Sequence, residues 1–303
     1  MRLALGAAAA AVGAFALFFA LADGGEADAA EWEQVASMPQ RRSYVAAAQI
    51  GEAIYTAGGM VGDTGRPLAT FTRYDAAADR WDTLPQLPEP TRAAAAAAVG
   101  NTLYVFGGTT PEGNTARVWA WDGERWSARA PLPSPRFNHS AVAVGEEIYV
   151  LGGFRRGREL SDVLVYDTRA DSWRRSTPLP EPKHAFDVVL FRGDIWMLGG
   201  RRGEEVLREV RLLDPRSGRW RDGPTMPKPM ELLGAAVAVD EIHAVWESTY
   251  QIYDAETGEW RAGRSTGVTR HALSAFVAGG ALYAVAGCTT ALRDTPVVER
   301  LEL

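Results

Sequence analysis

The sequence predicts an all-β chain folded as a six-bladed β-propeller, on three observations. Six tryptophans, Trp32, Trp81, Trp126, Trp173, Trp220 and Trp260, recur at steps of 49, 45, 47, 47 and 40 residues. Diglycines recur with the same period at Gly58-Gly59, Gly107-Gly108, Gly152-Gly153 and Gly199-Gly200. Short β-branched and aromatic runs bounded by turn residues lie between them, as at 147–151 and 163–166. A fixed spacing of this length marks a repeat architecture rather than a single irregular domain.

Each period holds four strands, lettered a to d from the axis outwards. Strand a is an alanine-rich run, as at Ala46-Ala47-Ala48 and Ala93 to Ala98. Alanine is a poor strand former, but small side chains fit where blades crowd toward an axis. Strand b ends at the glycines, whose freedom at positive φ and lack of a Cβ suit close packing. Strand c ends at an aromatic or aliphatic residue followed by Asp: Tyr74-Asp75, Trp121-Asp122, Tyr166-Asp167, Leu213-Asp214 and Tyr253-Asp254. The Asp side chain bonds its own downstream backbone in the turn that follows. Strand d begins at the tryptophan. A Leu-Pro or Met-Pro step then leads to the next blade, at Met38-Pro39, Leu87-Pro88, Leu132-Pro133, Leu179-Pro180 and Met226-Pro227.

Diglycine, Tyr-Asp and Trp at about 47 residues resemble the kelch repeat. The resemblance covers roughly residues 31–303 and implies a β-propeller of four-stranded blades. Repeats 5 and 6 are degenerate, with Trp246-Glu247 and Gly287-Cys288 where diglycine is expected. The sixth period ends at Leu303 without a tryptophan-bearing strand, while residues 31–35 around Trp32 form a d strand without a blade. The N-terminal strand is therefore expected to complete blade 6 and close the ring, which removes an exposed sheet edge.

The domain organisation is read as a signal peptide or N-terminal membrane anchor over 1–29, followed by the propeller over 30–303. Leu3 to Ala22 is an uncharged apolar run behind Arg2, and Ala27-Asp28-Ala29 and Ala20-Leu21-Ala22 are small-x-small cleavage motifs. The run is also long enough to span a bilayer. Either reading places the propeller outside the cytoplasm: secreted, periplasmic or anchored. The single Cys288 is read as a small buried hydrophobe, since a ring of this size needs no disulfides. The net charge is −6, and removing Arg2 with the acids Asp23, Glu26 and Asp28 leaves −4, which argues against nucleic acid as a partner. Contact with a membrane is expected only through residues 3–22 where the signal stays uncleaved, and a monomer is expected.

Function has to come from residues that break the repeat. The d–a connections and b–c loops open on one face. The residue three after each Leu-Pro or Met-Pro is Arg42, Thr91, Arg136, Lys183 and Met230, with Arg270 in blade 6. The next is Ser43, Arg92, Phe137, His184, Glu231 and His271. These positions predict a basic central mouth that holds an anionic ligand through Arg42, Arg92, Arg136, Lys183, His184, Arg270 and His271, with Arg155, Arg156, Arg158, Arg201 and Arg202 further out. Blade 5 breaks the pattern. Its b–c loop is about seven residues shorter and leaves a notch where Trp246 offers a stacking surface for a sugar ring. No cofactor and no metal are expected. His139, His184, His243 and His271 lack short ligand spacing, and phosphate-binding glycine loops, G-x-S-x-G and H-E-x-x-H are missing.

The leading expectation is a non-catalytic extracytoplasmic scaffold for an anionic glycan or a protein partner. The alternative is an enzyme. The resemblance to exported sialic-acid mutarotases, also six-bladed kelch-like propellers, implies proton transfer by Glu231 with Arg136 or Arg270 holding a sugar carboxylate. Resemblance to copper-dependent galactose oxidase would imply a tyrosine–cysteine crosslink, and Cys288 lacks the matching Tyr-His pair.

Overall fold

The computed structural model describes residues 31–62, 64–289 and 293–303. The segment read as signal or anchor, residues 1–29, lies outside the described residues. Among these residues the chain is all β, with six four-stranded antiparallel sheets forming the blades of a propeller. In blade 1 strands a to d are Ala46–Ile50, Ala53–Ala57, Phe71–Asp75 and Arg80–Leu84. Blade 2 has Ala95–Val99, Thr102–Phe106, Val118–Trp121 and Trp126–Arg129. Blade 3 has Ser140–Val144, Glu147–Leu151, Val163–Asp167 and Ser172–Arg175. Blade 4 has Asp187–Phe191, Asp194–Leu198, Val210–Asp214 and Arg219–Asp222. Blade 5 has Gly234–Ala238, Glu241–Trp246, Thr249–Asp254 and Glu259–Ala262. Blade 6 joins both ends of the chain: Ser274–Ala278, Ala281–Val285 and Val298–Glu302 pair in order, and Glu33–Val35 completes the sheet with Glu33 opposite Arg300.

The blades are locked by three closed rings of hydrogen bonds, and each explains a repeated sequence feature. In the outer ring every strand-d indole N–H donates to a backbone carbonyl just beyond the preceding blade's strand d. Trp81 donates to Ala36 at 2.8 Å, Trp126 to Pro85 at 2.9 Å, Trp173 to Ala130 at 2.9 Å and Trp220 to Thr177 at 3.4 Å. Trp260 donates to Pro224 at 2.7 Å, and Trp32 closes the circle on Arg264 at 2.8 Å. Only tryptophan combines a broad apolar face with a donor at this reach, so the residue recurs once per blade.

The middle ring explains the diglycines. The N–H of Gly59, Gly108, Gly153 and Gly200 reaches the carbonyl of Thr91, Arg136, Lys183 and Met230 of the next blade at 2.8–3.1 Å. A Cβ at Gly107 or Gly152 would lie 2.8 Å from the Arg136 or Lys183 carbonyl oxygen, so the backbones meet where no side chain fits. Glu247 makes the same bond to Arg270 at 2.7 Å, in a left-handed conformation with φ of 53°. In blade 6 the bond comes from Gly287 to Arg42 at 3.2 Å, preceded by Ala286 with φ of 61°. This corrects the sequence register: Ala286-Gly287, not Gly287-Cys288, replaces the diglycine.

The inner ring surrounds the axis. The N–H of Ala93, Asn138, Ala185, Leu232, Ala272 and Tyr44 each donates to the corresponding residue of the preceding blade, at 2.7–3.3 Å, and all six residues sit at φ between 48° and 58°. The left-handed conformation costs each non-glycine residue some stability. The closed circuit satisfies six donors and six acceptors that would otherwise lie unpaired at the channel rim. Apolar clusters fill the spaces between adjacent blades, as where Leu198, Val210 and Met226 of blade 4 meet Ile242 and Ala244 of blade 5. At the axis a Cβ on Gly234 would lie 2.6 Å from the Ala275 nitrogen, which is why the a strands carry small residues.

Candidate functional site: the channel mouth

Blades 1 to 4 each extend strands b and c by a small two-stranded hairpin on the mouth face: Met60–Val61 with Arg66–Pro67, Thr109–Thr110 with Gly113–Asn114, Phe154–Arg155 with Arg158–Glu159, and Arg201–Arg202 with Glu205–Val206. Blade 5 turns back directly, with Trp246 opposite Thr249. The residue that opens each strand-a segment bridges to its blade's hairpin, as in Ser43 with Met60, Arg92 with Thr109, Phe137 with Phe154, His184 with Arg201, and His271 with Cys288. These bridges form the mouth.

The four cations expected nearest the axis are not at the mouth. Arg42, Arg136 and Arg270 are 0 % exposed and Lys183 is 1 % exposed. Each points back into its own blade and stitches strands b and c. Arg136 donates to Gly152 O at 3.0 Å and to Asp162 Oδ2 at 2.9 Å. Lys183 is paired with Glu209. Arg270 donates to Ala284 O at 3.0 Å, to Val297 O and to Glu299 Oε2 at 2.8 Å. Arg42 has no carboxylate partner. It donates to Gly58 O, Thr70 O and the hydroxyls of Thr56 and Thr72 at 2.6–2.9 Å. Burial brings its pKa down to about 9, and that of Arg270 to about 10 against the pull of Glu299. Their role is structural: buried cations whose donors are almost all taken by the blade.

The neighbouring positions reach the mouth in blades 2 to 6, whereas Ser43 is buried, and most of their charge is matched. Arg201 grips Glu231 through two bonds of 2.5 Å. His184 Nδ1 lies 3.3 Å from Glu159 Oε1. Arg92 rests against Met60 Sδ at 3.2 Å. His271 Nε2 lies 3.1 Å from Cys288 Sγ, and burial pushes the thiol pKa up. An aromatic step runs along one side, from Phe137 to Phe154 at 5.7 Å between ring centroids and on to His184 at 5.0 Å. The mouth is therefore mixed in charge and part aromatic, which corrects the expectation of a basic central mouth. Trp246 packs against the core between blades 4 and 5, and its indole N–H is buried without a partner among the described residues. It is a wedge more than an open platform. The pairing of Glu231 with Arg136 or Arg270 loses its geometry, because both arginines face into their blades and Glu231 is held by Arg201.

Below the inner ring the channel holds a cavity of about 390 Å³ walled mainly by strand-a alanines. Side chains on its rim alternate: Tyr44, Asn138 and Leu232 from blades 1, 3 and 5, and alanine from blades 2, 4 and 6. Among the described residues Asp187 is the one carboxylate on this wall. It accepts the Ala235 N–H of blade 5 and the Val188 N–H, both at 2.8 Å, and burial raises its pKa to about 7. An acid opening an otherwise apolar a strand, Asp187–Phe191, is the sequence signal that would have found it.

These shifts predict opposing pH dependences on the acid side of neutrality. Folded Asp187 holds its proton up to about pH 7, whereas the unfolded carboxyl loses it near 3.8, so its stabilisation is lost between 3.8 and about 7 and changes no further above that. Burial lowers His139 to about 3 and His243 to about 4 from 6.5, so the unfolded chain binds more protons below 6.5 and stability falls as pH drops through this range. Two histidines outweigh one carboxyl, so melting temperature should rise from about pH 4 to 6.5, and Asp187→Asn should steepen that rise. An unchanged slope in the Asp187→Asn variant would refute the assignment.

A family model described as the KLHDC2/KLHL20/DRC7 Kelch-repeats domain matches residues 44–245, two thirds of the chain. No individual curated protein matches it.

Proposed function

Because the chain belongs to the kelch-repeat family, whose propellers are general protein-interaction scaffolds, we propose that it binds a partner protein outside the cytoplasm through the mouth face. One observation carries this reading: the mouth gathers aromatic and charged side chains, Phe137, Phe154, His184, Arg92 and the Arg201–Glu231 pair, on a frame fixed by three hydrogen-bonded rings. Aromatic and arginine side chains are those that anchor protein interfaces. The rigid frame limits the entropy lost on binding. The apolar run at 3–22 supports the location.

The face is tested by site-specific crosslinking in intact cells. A photoreactive residue at Phe137 should capture a discrete protein, while the same probe at exposed Arg125, in the c–d turn on the opposite face, should not. Equal capture at both positions would refute the mouth assignment. Degradation of the propeller by protease added to cells with a permeabilised outer envelope tests the location, and full protection behind an intact inner membrane would refute it.

A further inference from the structure

We propose that the hairpin of blade 3 anchors an acidic peptide segment of the partner, with Arg155, Arg156 and Arg158 holding its carboxylates. This rests on the mouth-face reading above and names the chemistry of the partner. Arg155 and Arg158 stand directly opposite each other in the hairpin. Like charges at such positions repel. None of the three guanidiniums has a hydrogen-bond or ion-pair partner among the described residues. The nearby acids are already engaged: Glu159 by His184 and by the Gly203 N–H at 2.7 Å, and Asp162 by Arg136.

The backbone adds a second, independent sign. Arg156 and Gly157 form the two-residue turn, with φ of 47° and 76°. Such turns favour Asn or Gly at both central positions. An arginine there holds a charge at the tip against its own conformational preference, and strain of this kind collects at functional sites. The hairpin of blade 4 is the internal control. It also carries two arginines, but Arg201 is paired with Glu231, and Arg202 with Glu181 and Glu205. Of these two arginine-rich hairpins, only that of blade 3 carries unpaired charge. It borders a concave surface of about 470 Å³ between the hairpin and the start of strand c.

A peptide fits better than a sulfated or carboxylated glycan because the basic tip continues directly into the aromatic step. Phe154 precedes Arg155 and packs on Phe137 and His184, offering contact for an apolar side chain beside the carboxylates. Arginine forks match carboxylates in two-point contact.

The test is fluorescence anisotropy of the purified protein with a labelled peptide of alternating Glu and Leu, beside the same peptide with Lys for Glu, and beside heparin. The acidic peptide should bind, more weakly at high salt, and the lysine peptide should not. The triple variant Arg155→Gln, Arg156→Gln, Arg158→Gln should lose about tenfold or more in affinity, as removal of several charge-assisted contacts implies. Arg169→Gln, Arg216→Gln, Arg219→Gln on the opposite face removes the same charge and should lose less than about twofold if the loss is local rather than a net-charge effect. The residues of the first variant are partly or fully exposed, so its melting temperature should not fall. Equal losses in both variants, retained binding in the first, or failure of the acidic peptide to bind would overturn the proposal. Binding of heparin alone would overturn it in favour of a glycan. Capture at Phe137 combined with undiminished peptide binding by the hairpin variant would leave the mouth-face reading standing and remove this one.

Discussion

Arg270→Ala is expected to destabilise the propeller by about 3–5 kcal/mol, the cost of stranding a buried charge. Its partner Glu299 is 1 % exposed and would keep only the Gly267 and Val268 N–H groups. The carbonyls of Ala284 and Val297 would lose their donor as well. For a chain of this size the loss corresponds to a fall in melting temperature of about 5–10 °C. Two comparisons separate the charge from the packing. Arg270→Met with Glu299→Leu removes both charges and should recover more than half of the loss, because a buried ion pair replaced by apolar groups of similar volume is often near neutral. Arg42→Met should cost less than Arg270→Ala, since it strands no carboxylate and the hydroxyls of Thr56 and Thr72 already lie 2.8 Å apart and can bond each other. Urea unfolding of the purified variants measures all three. Equal destabilisation by Arg270→Ala and the double variant would show that volume, not charge, dominates.

The cations were misplaced in the sequence for a local reason. Arg42, Ser43 and Tyr44 are consecutive, but Tyr44 sits in the left-handed region. The chain turns there, so position along the sequence near the axis does not translate into exposure at the mouth. The first of the three turns back into its blade, and where it has a carboxylate partner, that partner lies in or just before strand c. Asp162, Glu209 and Glu299 follow Arg136, Lys183 and Arg270 by 26, 26 and 29 residues. That recurrent spacing is legible in the sequence and points to stitching rather than ligand binding. By contrast, tryptophan and diglycine gave the fold readily because each serves a ring that must repeat in every blade. The surplus charge of blade 3 was visible as an arginine run. Separating it from the equally basic run of blade 4 needed Glu231 and Glu181, the partners of Arg201 and Arg202 that come from other segments and leave no local trace.

The ring also depends on a strand of three residues. Glu33–Val35 pairs with Val298–Glu302, and Trp32 beside it sets its ring edge on Tyr250 of blade 5, 5.6 Å between centroids. Its indole N–H completes the outer ring on Arg264, and the Met38 N–H bonds Pro296 O at 2.8 Å. Trp32→Phe keeps the aromatic contact and loses one hydrogen bond, a cost of about 1 kcal/mol. Trp32→Ala also empties the space against Tyr250 and should cost about 3 kcal/mol. Deletion of 31–37 should do something different in kind. It leaves Val298–Glu302 as an open edge and removes Val35 and Ala36 from the apolar cluster between blades 6 and 1, so the protein should self-associate through that edge. Sedimentation should then show dimers or larger species in place of the monomer expected of the intact ring. A synthetic peptide covering 31–40, supplied in excess, should restore the monomer by filling the vacant strand position, at concentrations far above those the covalent link requires. Retention of a stable monomer by the deleted form would mean that the two other rings suffice for closure and that the N-terminal strand is dispensable.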